Sequence, residues 1–112
     1  MFENGKADLK ENSLVILDKI NGLIATLPNT IIIEGHTDNV PINTYQFPSN
    51  WELSGDRAAI VVRYFTEIKG QDPRKFTYQG CGDTKPLVGN DTDTNRAINR
   101  RVNILIVANN KE

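Results

Sequence analysis

Between Ser13 and Leu27 the apolar residues Leu14, Leu17, Ile20, Ile24 and Leu27 recur at steps of three, three, four and three. That spacing keeps one face of a helix apolar and Pro28 cannot continue it, so a helix is predicted over about residues 11–27, with Gly22 a local weakness. Asn29 and Thr30 then turn the chain. Ile31 to Glu34 is too short and too β-branched for a helix. With Ile32 and Ile33 pointing in opposite directions, it predicts a strand covered on both faces, which Gly35 lets the backbone leave.

Residues 36–49 contain Pro41, Pro48 and few helix formers, and read as an ordered loop pinned by Val40, Ile42, Tyr45 and Phe47. Ser49 and Glu52 have capping-box spacing, and Leu53, Ala58, Val61, Val62, Phe65 and Ile68 give the next helix a buried face as far as Gly70. Phe76 to Tyr78 predicts a strand that enters the glycine bend Gly80-Cys81-Gly82-Asp83. A polar loop from Thr84 to Asp93 leads to a helical turn around Asn95–Asn99, and Val102 to Val107 forms a last apolar strand. Helices alternating with strands predict an α/β sandwich with its helices on one face of a small sheet.

Length and charge narrow the picture. A chain of 112 residues fits one domain, 1–112, with a core of its own. Thirteen Lys and Arg against fourteen Asp and Glu leave a net charge of −1, without the basic excess that drives nucleic-acid or acidic-membrane binding. Cys81 has no second cysteine to pair with, and one Cys with one His makes neither a zinc cluster nor a thiol relay. No stretch reaches the ~20 apolar residues of a membrane span, and the start lacks the pattern of a signal peptide. The chain reads as a soluble piece, compatible with excision from a longer exported protein.

Few positions carry candidate chemistry. His36 and Asp38 could ligate a metal or form an oriented general base. Alternatively His36 bonds loop backbone, and Asp38 caps a turn or meets a cationic ligand. Ser54 has no evident base, so the set of nucleophile, base and orienter that a hydrolase needs is incomplete. Arg57, one turn after Leu53, can face the strand end that carries Asp38 and grip a carboxylate with two bonds, or it can be an ordinary solvated arginine. Asn95–Arg101 concentrates three arginines, but the acidic stretch just before it argues against a nucleic-acid patch. One arginine is expected to tie the short helix to the sheet and another to line a site. Cys81 reads as a small buried filler rather than a reactive thiol.

Four motifs, GHTD (Gly35–Asp38), NWELSGDRAAIVVRYF (Asn50–Phe65), GCGD (Gly80–Asp83) and NRRVNILI (Asn99–Ile106), stand in the order and spacing of OmpA-like peptidoglycan-binding domains. The chain resembles that family over nearly its whole length. Its loop, DNVPIN followed by FPSNWELS, is similar to the MotB branch, the flagellar stator anchors. The resemblance implies a β/α/β/α fold on a small mixed sheet, and a non-catalytic site without metal or cofactor in a cleft beside GHTD. There Asp38 would meet the ammonium and Arg57 the carboxylate of a diaminopimelate in the stem peptide. Thr37 and Asn50 would add polar contacts, and Arg100 or Arg101 would support the site.

The resemblance further implies an extracytoplasmic piece of a protein anchored in the cytoplasmic membrane, working as a homodimer beside a membrane-embedded, MotA-like stator partner. A wall-anchoring lipoprotein or outer-membrane protein is the alternative, and a wall-active hydrolase the competing class. Cys81 departs from the family, where an aromatic is usual, and Asp83 stands for a glutamate. The family's first strand would be trimmed or supplied by Met1–Gly5. If Asp38 and Arg57 serve the ligand alone, replacing either should weaken wall binding and barely change folding.

Overall fold

In the computed structural model, which describes residues 1–108, the elements run α1 (Glu11–Ile24), β1 (Ile31–Gly35), α2 (Asn50–Arg63), β2 (Phe76–Gly80), α3 (Asp93–Asn99) and β3 (Val102–Ile106). β1 is central, parallel to β2 and antiparallel to β3, with Ile33 beside both Tyr78 and Ile104. The predicted α/β architecture, with helices on one face of a small mixed sheet, is what the chain adopts. Leu17 and Ile24 from α1, Ala58 and Val61 from α2, and Phe65 and Phe76 close over Ile31 and Ile33. Each large apolar side chain withdrawn here stabilises the fold by about 1.5–3 kcal/mol.

Several local expectations shift. The predicted cover on both faces of β1 is only partly met: opposite the helices Ile32 is half-buried beside Thr77 and Leu105, and Glu34 is buried beside Gln79 and Asn103. Met1–Gly5 supplies no strand: the chain turns at Asn4–Gly5, and Phe2 is drawn into the core. α1 buries Ser13, Leu17 and Ile24 and leaves Leu14 half exposed. Each three-residue step falls about 60° short of a full turn, so the first member of the stripe ends at its edge.

The same helix stops at Ile24 rather than Leu27. Pro28 disfavours helical backbone at Leu27, and the Ile24 carbonyl is taken by the Leu27 N–H at 3.1 Å and by Lys75 Nζ. After Arg63 the second helix widens into a π-helical turn, Tyr64–Ile68, which carries Ile68 to the surface against the predicted buried face. In the loop, Phe47 is buried with Ala7 and Leu53, and Ile42 packs against them, whereas Tyr45 is fully exposed and pins nothing.

Ser49 caps α2 as predicted, but Glu52 meets its hydroxyl rather than the backbone N–H that a capping box uses. Ser49 Oγ accepts from the Trp51 N–H at 3.2 Å and donates to the Glu52 carboxylate. α2 then lies so close to the sheet that its Ser54–Gly55 backbone presses on the paired glycines Gly35 and Gly80. This contact fixes where Arg57, one turn further on, meets the end of β1.

Candidate ligand-binding site

Past Gly35 the chain leaves the sheet with Thr37 and Asp38 buried. The Thr37 N–H donates to Gly82 O at 2.9 Å, and its hydroxyl to the Asp38 carbonyl at 2.8 Å. Asp38 Oδ1 accepts from the Val40 N–H at 3.1 Å, closing a turn, and Oδ2 accepts from Arg100 Nη1 at 2.9 Å. The turn-cap reading of Asp38 is realised, and its second oxygen is held by a cation of the chain itself, Arg100.

Arg57 is not a solvated arginine. Its residue is 0% exposed, its Nε donates to Lys6 O at 2.9 Å, Nη1 to His36 O at 3.1 Å and Nη2 to Glu3 O at 2.9 Å. The guanidinium lies 5.0 Å from the centroid of the Phe2 ring, a cation–π contact. Burial lowers its pKa to about 10, against the pull of Asp38 and with the push of Arg100, so it stays charged at neutral pH. Arg100 completes the cluster, its Nε donating to Phe2 O at 3.0 Å. Two guanidiniums and one carboxylate leave the cluster one positive charge in excess, roofed by the backbone of Phe2–Lys6.

The structure thus brings Asp38, Arg57, Arg100 and Thr37 together. Asn50 stands at the rim of the loop, its amide donating to Val40 O at 3.2 Å. Arg101 is directed elsewhere: Nε donates to Asn103 Oδ1 at 3.2 Å and Nη2 to Lys85 O at 2.9 Å. Of the two arginines it is Arg100 that meets Asp38, because neighbours at a strand entrance point to opposite sides.

His36 does not pair with Asp38. Its Nε2 meets Glu34 Oε1 at 3.0 Å, and Glu34 also accepts from Gln79 at 2.6 Å and, more loosely, from Asn103 at 3.4 Å. The expected partner of His36, loop backbone, is replaced by a carboxylate two residues back. Burial pushes Glu34 up, but the bonds from His36 and Gln79 outweigh it and hold the carboxyl below its usual range. Burial pushes His36 down, more than Glu34 lifts it, so the ring is neutral at pH 7. Cys81 is buried as predicted. Ser54 is buried too, donating to Trp51 O at 2.9 Å and accepting from the Gly82 N–H at 2.9 Å, a brace between α2 and the glycine bend.

The sequence pattern of the OmpA family matches residues 1–100. The chain belongs to that family. It is 43% identical over 106 residues to the uncharacterized protein YtxE of Bacillus subtilis (strain 168), covering 95% of this chain and 44% of that one. The C-terminal domain of Helicobacter pylori MotB superposes with a TM-score of 0.89 at 28% identity, over 97% of this chain and 84% of that one. The cell wall anchor of the T6SS from Pseudomonas aeruginosa gives 0.84 at 34% identity, over 97% and 76%. The chain spans less than half the length of YtxE and of the Bacillus subtilis motility protein B.

Proposed function

We propose that this chain is the peptidoglycan-binding domain, 1–112, of a longer protein anchored in the cytoplasmic membrane, and that it holds a flagellar stator to the cell wall without catalysis. The observation that carries the reading is the buried cluster of Asp38, Arg57 and Arg100 at the GHTD end of β1 in a MotB-like member of the OmpA family. A diaminopimelate residue offers a carboxylate and an ammonium on one carbon. The excess positive charge suits the carboxylate, and Asp38, with two of its roughly four acceptor sites used, keeps acceptor capacity for the ammonium. The carbonyls of Glu3 and Lys6 hold the Arg57 donors that a ligand carboxylate would need. Binding then exchanges neutral acceptors for a charged one, with Thr37 and Asn50 at the edge of the site.

Asp38→Asn is expected to weaken binding to purified sacculi by about 1.5–3 kcal/mol, the scale of a charge-assisted hydrogen bond. Co-sedimentation measures it, with a thermal melt as the folding control. Unchanged binding by a folded variant would remove Asp38 from the site, and release of soluble stem peptides by the native domain would favour the hydrolase.

The working unit of the proposal is a homodimer, acting outside the cytoplasmic membrane beside a MotA-like partner. α1 leaves Val15, Ile16 and Leu23 more than half exposed around Lys19, a mixed face on which a second copy could sit. Sedimentation of the chain is expected to show concentration-dependent pairing; a monomer at high concentration would place the contact in other parts of the longer protein. The likeness to the T6SS cell wall anchor favours a second reading, wall anchoring for a machine other than the flagellum. The segment preceding this domain in the full protein separates the two, a single membrane helix favouring the stator and a lipid attachment site or β-barrel the alternative.

A further inference from the structure

On the face of the sheet away from the helices stand Glu34 of β1 and, on the same side one residue past its end, His36. The Cys81 N–H donates to Gly35 O at 3.0 Å, which sets Cys81 beside His36. A Glu34 oxygen, a ring nitrogen of His36 and Cys81 Sγ all lie within 4.8 Å of one another. All three residues are buried, His36 to 99%, its exposure being 1%. An ionised carboxylate only accepts, so in the bond to Glu34 the proton sits on His36 Nε2, and Nδ1 keeps a lone pair. That Nδ1 is buried with no hydrogen-bond partner.

The geometry points to a divalent-cation site of the zinc class formed by Glu34, His36 and Cys81, with a fourth position for water. Carboxylate, imidazole and thiolate are the donors that zinc takes, and three protein ligands with one open position is an established arrangement for it. Tetrahedral ligands at zinc distances stand roughly 3.3–3.8 Å apart, so small side-chain rotations close the set. On ligation the thiol proton passes to solvent, the metal takes one ring nitrogen, and the imidazole proton stays on the other. Gln79 and Asn103, already bonded to Glu34, orient its carboxylate. Two anionic ligands neutralise the cation, so the nearby Arg101 faces a neutral centre.

Reduced, metal-free protein titrated with Co2+ tests the site. One equivalent is expected to produce a thiolate-to-cobalt charge-transfer band in the near ultraviolet, which Zn2+ abolishes by displacement. Cys81→Ser should lose the band, and Glu34→Gln should weaken Co2+ binding at least about tenfold. Zn2+ should raise the melting temperature of the native protein and leave that of Cys81→Ser where it was. Absence of the band from native protein at excess Co2+, or its persistence in Cys81→Ser, would overturn the assignment.

Discussion

Gly35→Ala is expected to cost roughly 4 kcal/mol or more and to leave little folded protein at 37 °C. A Cβ built on Gly35 would stand 1.9 Å from the Ser54 carbonyl oxygen and 3.2 Å from the Ala58 nitrogen. Both are backbone atoms in the middle of α2, so no side-chain rotation relieves the contact. Ordinary overpacking costs about 1–3 kcal/mol because neighbours can shift; here a whole helix must move. Its partner Gly80 is equally confined, a Cβ there meeting Gly55 N at 2.5 Å, so α2 cannot slide toward β2 to escape. Gly22→Ala is the control of opposite sign. Nothing lies within 4 Å of its Cβ position, and the helix interior gains about 0.5–1 kcal/mol from the change. Denaturant melts of the two variants should move to opposite sides of the native midpoint, and a stable Gly35→Ala protein would show that α2 does not bear on the sheet as described.

That contact explains what could be read from the sequence and what could not. Periodicity locates elements, and α2, β1 and β3 fall close to where apolar spacing puts them. Periodicity does not say how near two elements come. Gly35 was legible as an exit from the strand, whereas its larger role, admitting a helix backbone, depends on a crossing that no local pattern records. Asp38 and Arg57 were legible as members of one motif set, and the structure does bring them to one cluster. The roof over them was not, because Glu3 and Lys6 contribute only carbonyl oxygens, and any residue has one. Arg100 could not be told from Arg101 without knowing where β3 begins, since one residue's shift exchanges their directions. Glu34, His36 and Cys81 come together only through the parallel register that sets Gly35 beside Gly80. An aromatic in place of Cys81 would remove the thiol from that set.

Arg57→Ala is expected to lower stability by about 3–5 kcal/mol, which for a chain of this size means a melting temperature lower by roughly 10–20 °C. This reverses the expectation that the charge serves the ligand alone. Truncation removes donors from Glu3 O, His36 O and Lys6 O together, leaves the face of Phe2 without its cation, and opens a cavity beneath the first residues of the chain. Relief of the repulsion with Arg100 returns part of this, but the carbonyls left buried without donors weigh more. Arg57→Lys should recover a fraction of the loss: a single ammonium keeps the charge but cannot reach acceptors spread around a planar fork. That variant also separates the structural role from the proposed binding role. At a temperature where both proteins are folded, amidating the diaminopimelate carboxylate of a stem peptide should cost the native domain about 1.5–3 kcal/mol of binding. The Lys variant, having already lost the two-pronged grip, should lose less. Equal losses would show that Arg57 does not read that carboxylate and that its three bonds to the chain are its whole task; a melting temperature of Arg57→Ala within a few degrees of native would show instead that the roof of Phe2–Lys6 does not depend on it.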